Sequence, residues 1–189
     1  MVSSIGTMIG FAAVLLFVGI IAYVVSLFNG LVSLKNNIRK SWANIDVLLK
    51  QRYDEIPNLV ETVKGYMKHE KKVLEDITKT RAALAGASSK NEMAALNEKM
   101  SGSIKSIFAV AENYPKLQAS SNFLKLQERI SSLENEIADR REFYNDCVTI
   151  YNTKIESFPD MYVARLFKYG RKEPFSAFPD EKKNVKPKL

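Results

Sequence analysis

Asp54, Glu55 and Glu61 stand close together on either side of Pro57. Carboxylates gathered near a break in a helix are the groups that general acid–base catalysis or an oxygen-lined cation site would need. Structural duty is the commoner fate of such groups. The chain offers one, because Arg141, with Arg140 beside it, falls on an apolar stripe further along, where a buried guanidinium must be paired and hydrogen-bonded. Asp54 or Glu61 is the expected partner. Together with Asn145 and Asn152 these residues are expected to form a buried polar cluster that fixes helix register rather than running a reaction. Removing Arg141 should then lower the thermal midpoint by several degrees.

Other chemistry finds little support. Cys147 is the only cysteine and His69 the only histidine, so neither a disulfide within the chain nor a paired-imidazole metal site can form. Cys147 lies beside an apolar stripe and reads as a small buried thiol without an activating base. No Gly-rich phosphate loop, nucleophile elbow, CxxC pair or HExxH helix occurs. The expectation is a protein that is not an enzyme and needs no metal or cofactor.

What would position these residues is unevenly apolar. Of 189 residues, 28 are Lys or Arg and 21 Asp or Glu, a net charge of +7, yet Ile5 to Phe28 carries no charge at all. As a helix those positions would rise about 36 Å, enough to cross a hydrocarbon core of about 30 Å. No basic residue precedes the run, whereas Lys35, Arg39 and Lys40 follow it. This argues against a cleaved signal peptide and for an uncleaved anchor with its N-terminus outside and the rest of the chain in the cytoplasm.

Beyond Asn29-Gly30, read as a hinge, apolar residues recur in steps of three and four: Leu31, Leu34, Ile38, Trp42, Ile45, Leu49, Tyr53, Ile56, Val60, Val63 and Met67. Pro57 withholds an amide from the Tyr53 carbonyl, so a kink is expected there, not an end. A second stripe runs from Leu74 to Leu84 and stops at Gly86, expected in the left-handed conformation. Ser89 and Glu92 have the spacing of a capping box and open a third helix, which Pro115 ends. The last stripe runs from Phe123 to Phe158. The class is all-α: a single N-terminal transmembrane helix followed by an antiparallel bundle of three or four helices, the first and last long. Between Gly65 and Glu70 no good cap decides whether the first rod breaks. The expected divisions are an anchor over 1–28, a bundle over 29–158, an amphipathic helix over 159–173 and a basic tail over 174–189.

The segment from Gln51 to Tyr66, QRYDEIPNLVETVKGY, resembles the signature of the bacterial LemA family. Further blocks agree in order: Asn113-Tyr114-Pro115, Asn122-Phe123-Leu124 with Leu126-Gln127, Arg140-Arg141-Glu142-Phe143-Tyr144-Asn145, Tyr151-Asn152, Ser157-Phe158-Pro159 and Pro174-Phe175. The resemblance implies a bacterial membrane-anchored helical-bundle protein, with suggested links to envelope stress, membrane proteases and, in a divergent branch, magnetosome membranes. It implies no enzyme. Leucine is common in the family where Glu55 stands here.

Residues Arg165 to Leu189 hold eight basic and three acidic side chains, most of the net charge. Tyr162, Val163, Leu166, Phe167 and Tyr169 share one helical side, and Arg165, Lys168, Arg171 and Lys172 the other. That pattern suits a helix lying on anionic lipid as well as one that closes the bundle. Expected headgroup contacts are Lys35, Arg39, Lys40, Arg165, Lys168, Arg171 and Lys172. Expected partners are membrane lipids, other membrane or cytoplasmic proteins and further copies of the chain, but not nucleic acid, because the charge is too local.

Overall fold

In the computed structural model, the backbone is described for residues 2–175 and the side chains for 8–89 and 92–175. From residue 176 onward the expected basic tail lies outside the described residues. Six helices follow in order: α1 Val2–Lys64, α2 Lys71–Ala85, α3 Lys90–Ala111, α4 Pro115–Gln118, α5 Ser121–Glu156 and α6 Asp160–Leu166, with no strand among the described residues. The all-helical class and the long apolar N-terminal helix are as the periodicity predicts.

α1 departs from expectation at one place, since it passes through Asn29-Gly30 without a hinge. Its first part is bare. Apart from the half-buried Val24, its large apolar side chains from Met8 to Val25 are between 49% and 72% exposed, and the helix is long and apolar enough to cross a membrane. α1 also runs through Pro57. The carbonyl of Tyr53, which loses its intrahelical donor to that proline, accepts instead from Arg81 Nε at 3.4 Å, while the Arg81 guanidinium lies over the Tyr53 ring at 4.1 Å.

The described residues form two compact units, one of 2–41 and 145–174, the other of 42–144 and Phe175. In the second, one core draws on five helices. Ile56, Leu59 and Val63 of α1, Ile77 of α2, Met100, Ile104 and Ile107 of α3, Leu117 of α4, and Phe123 and Ile130 of α5 are all buried, each burial contributing about 1.5–3 kcal/mol before entropy is set against it. Met67 plugs the same core from the turn between α1 and α2, so the first rod does break. Backbone bonds from the Tyr66 and Met67 amides to the Val63 carbonyl close α1 there, which is why no cap is visible in the sequence.

The other boundaries also differ in detail. Gly86 closes α2 at φ −99°, in the right-handed region rather than the left. Ser89 caps α3 through the Glu92 amide, but the Glu92 carboxylate accepts from the Ser88 amide, one residue upstream of the expected position. Pro115 does not end α3, which stops at Ala111; it opens α4 at its first turn, where a missing amide costs nothing.

In the first unit the expected amphipathic helix over 159–173 is cut to α6, Asp160–Leu166. The chain turns at Lys168, with φ 55°. It then runs as a loop because side chains of α1 and α5 capture it, a tertiary contact that local amphipathicity cannot reveal.

Candidate functional site

The buried polar cluster exists, but it is built from other residues. In the second unit Arg52 of α1 is 1% exposed. Its guanidinium ion-pairs with Glu134 of α5 and donates to Ser101 Oγ of α3 at 2.8 Å and to the backbone and side-chain oxygens of Asn97. The Ser101 hydroxyl in turn donates to Glu134 at 2.7 Å, and Asn97 Nδ2 is held by the Met93 carbonyl at 2.8 Å. Every donor Arg52 uses is answered, which is the condition for burying a charge.

Arg52 was legible. Leu49, Arg52, Ile56, Leu59 and Val63 continue the three-and-four spacing as well as any apolar set, yet the aromatic Tyr53 draws the stripe one residue aside. Asn97 and Ser101 likewise occupy inward positions between Ala94 and Ile104. A charged or polar side chain in strict register on an apolar stripe was the available signal.

Of the expected cluster, Asp54, Glu61 and Arg140 are exposed, so neither carboxylate partners Arg141. Glu55 is half-buried and reaches Arg129 at 3.9 Å. Arg141 pairs with Glu98 at 3.3 Å and lies over the Phe175 ring at 4.6 Å, while its Nε and Nη2 have no hydrogen-bond partner. Burial lowers its pKa from the ordinary value, and Arg52 lowers it further, against the pull of Glu98 and Glu134. Asn145 is half-buried and stands in the first unit, as does Asn152.

Asn152 serves a different purpose. Its amide clamps the backbone of Lys172, donating to the carbonyl and accepting from the N–H, both at 2.8 Å. One helical residue away, the Tyr151 hydroxyl donates to the Gly170 carbonyl at 3.1 Å, and burial holds its pKa above the ordinary value, with Tyr169 adding to the shift. Arg171 pairs with Glu156. α5 thus fastens the loop after α6 at three places. The loop's Phe167 and Tyr169 rings lie 4.6 and 6.2 Å from the Phe28 ring of α1, and Lys35 Nζ sits over Tyr169 at 5.5 Å.

α6 accordingly has two kinds of side. Val163 and Ala164 are buried, whereas Tyr162 and Leu166 are 60% and 73% exposed, next to Phe158 at 77%. Of the expected headgroup residues, Lys35, Lys168 and Lys172 line one cleft together. Arg39, Lys40 and Arg165 are exposed elsewhere on the unit.

Nothing in these arrangements resembles a nucleophile with its base, and among the described residues no three His, Cys, Asp or Glu side chains gather as a metal would require. His69 is exposed and Cys147 half-buried.

Comparison with known proteins bears on the same residues. Protein LemA of Metamycoplasma hominis is 28% identical over 134 residues, 69% of this chain and 60% of that protein. Magnetosome protein MamQ 2 of Paramagnetospirillum magneticum is 33% identical over 73 residues, 39% of this chain and 27% of that protein. Magnetosome protein MamQ of Magnetospirillum gryphiswaldense is 29% identical over 73 residues, with the same coverage. The chain therefore matches less than two thirds of the length of each of these relatives. The profile of the LemA family matches residues 41–189, which takes in the Arg52 cluster and the α6 loop alike, and the chain belongs to that family.

Proposed function

We propose that this protein is a membrane-anchored, non-enzymatic scaffold of the bacterial inner membrane. Residues 1–28 cross the bilayer with the N-terminus outside, residues 29–158 form an antiparallel helical bundle in the cytoplasm, residues 159–173 lie near the membrane, and 174–189 form a basic tail. The observation that carries this reading is the bare apolar length of α1, which continues without interruption into a helix whose later residues are buried in a core. Such a surface is stable only in lipid. The basic residues Lys35, Arg39 and Lys40 just after it favour the cytoplasmic side.

Scaffolding suits a helical domain whose buried Arg52 cluster is satisfied internally rather than open to a substrate. Its working parts are then surfaces that recruit other membrane or cytoplasmic proteins, among them complexes of membrane proteases or of the envelope stress response. Crosslinking in intact cells, followed by identification of what copurifies, tests this: a foreign protein recovered in fixed stoichiometry supports it, and recovery of the chain alone speaks against it.

The similarity to two magnetosome proteins favours a second reading, a homo-oligomeric protein that organises or shapes membrane. Gly10 and Gly19 of the anchor, with nothing within 4 Å of where a Cβ would stand, offer close approach between neighbouring anchors. Large homotypic particles from purified protein in mild detergent support this reading over the first.

A further inference from the structure

We propose that the cleft between the end of the anchor and the loop after α6 is a binding site for the phosphate of an anionic phospholipid headgroup. The proposal rests on the membrane location given above and assigns the site within it.

Three observations in the first unit converge. The cleft, of about 280 Å³, is lined by Lys35, Lys168 and Lys172 and by the aromatic residues Phe28, Phe167 and Tyr169. Small-molecule sites run from roughly 300 Å³ upward, so this space suits a headgroup rather than a whole lipid. Its cations are available: none of the three lysines takes part in this unit's ion pairs of Lys154 with Asp160 and Arg171 with Glu156. Three lysines around one concavity make a site for an anion.

Its walls are also fixed before any ligand arrives. The Asn152 clamp on Lys172, the Tyr151 bond to Gly170 and the Arg171 pair with Glu156 hold the loop to α5. Binding therefore costs little loop entropy.

The position names the source of the phosphate. Phe28 is the last residue of the uncharged run, and Lys35 follows about 10 Å further along the helix, so its long stem reaches back to the headgroup layer. Phe158, Tyr162 and Leu166 are exposed apolar side chains of the same unit, available to lipid. A soluble phosphate would find the lysines but no use for those side chains.

The test uses the full chain purified in a neutral detergent, with bound lipid counted by native mass spectrometry during titration with phosphatidylglycerol, phosphatidylcholine or inorganic phosphate. The wild type should retain one phosphatidylglycerol in preference to phosphatidylcholine. Lys35→Gln with Lys172→Gln should weaken that binding roughly tenfold or more. Arg39→Gln with Lys40→Gln, an equal loss of charge outside the cleft, should change it less than about threefold. Lys168→Asn, which tolerates the left-handed backbone at φ 55°, provides a second variant should the double variant fail to fold; it too should weaken binding. Equal losses in the cleft and control variants, or no loss in the cleft variants, would overturn the site. Inorganic phosphate bound as tightly as phosphatidylglycerol would overturn the lipid as its ligand. Alkaline carbonate extraction separates the two levels: a chain released from membranes that still prefers phosphatidylglycerol breaks the anchor and supports the site, whereas a retained chain without preference breaks the site alone.

Discussion

Arg52 and Arg141 are both basic residues on apolar stripes, and their surroundings give them opposite weights. Arg52 answers every donor it uses through Glu134, Asn97 and Ser101. Arg52→Ala strands a carboxylate and two polar side chains, which should cost about 3–5 kcal/mol and lower the thermal midpoint by roughly 10 °C. Arg141 leaves two buried nitrogens unanswered, so a thioether of similar length should suit its place over Phe175 as well: Arg141→Met is expected to leave the midpoint within about 2 °C or to raise it. Calorimetry of the full chain in detergent checks both, and the reverse order would mean that the cluster is misassigned. Tyr151 adds a pH dependence. Its folded pKa is raised above the ordinary value near 10, so its contribution is fully present below that value and is lost as pH rises through the folded pKa. At pH 7, Tyr151→Phe should destabilise by about 1 kcal/mol through the lost bond to Gly170; melting curves of the two proteins should converge above pH 10.

Among the elements, α1 shows how a sequence signal and its structural answer can lie far apart along the chain. Pro57 announces a missing amide, but only the fold supplies Arg81 Nε to the Tyr53 carbonyl. Pro57→Ala restores the helix's own bond, so Arg81→Ala should cost less in that background than in the wild type, by about 0.5–1 kcal/mol in a double-mutant cycle. Additive effects would show that Arg81 matters only for its stacking on Tyr53. Helices were readable because Ile45, Leu49, Ile56, Leu59 and Val63 repeat the spacing of one face, and Ser89 marked its start through chemistry local to three residues. The end of α6 was not readable. Amphipathic spacing continues past Leu166, and what stops the helix is the seating of Phe167 and Tyr169 near Phe28, residues remote in sequence. The Arg141 partnership failed for the same reason: proximity to a kink said nothing about which carboxylate faces inward, and Asp54 and Glu61 face water.

For the molecule as a whole, the proposed topology puts the helical part on the cytoplasmic side. With Cys147 replaced by Ala, a cysteine placed at Lys116, exposed on α4, should resist a membrane-impermeant maleimide in intact spheroplasts and react after permeabilisation. Labelling before permeabilisation would reverse the proposed topology. Assembly of copies meets a separate constraint, set by the arginine that joins three helices. Sliding α3 or α5 along α1 by a single turn, about 5.4 Å, would carry Asn97 and Ser101, or Glu134, out of reach of Arg52 and leave part of a buried guanidinium unanswered. Two copies that traded their last long helix could do so only tooth for tooth, each donor helix delivering its own Glu134 to the other's Arg52; a half-step exchange is forbidden by charge, whatever the greasy faces would tolerate.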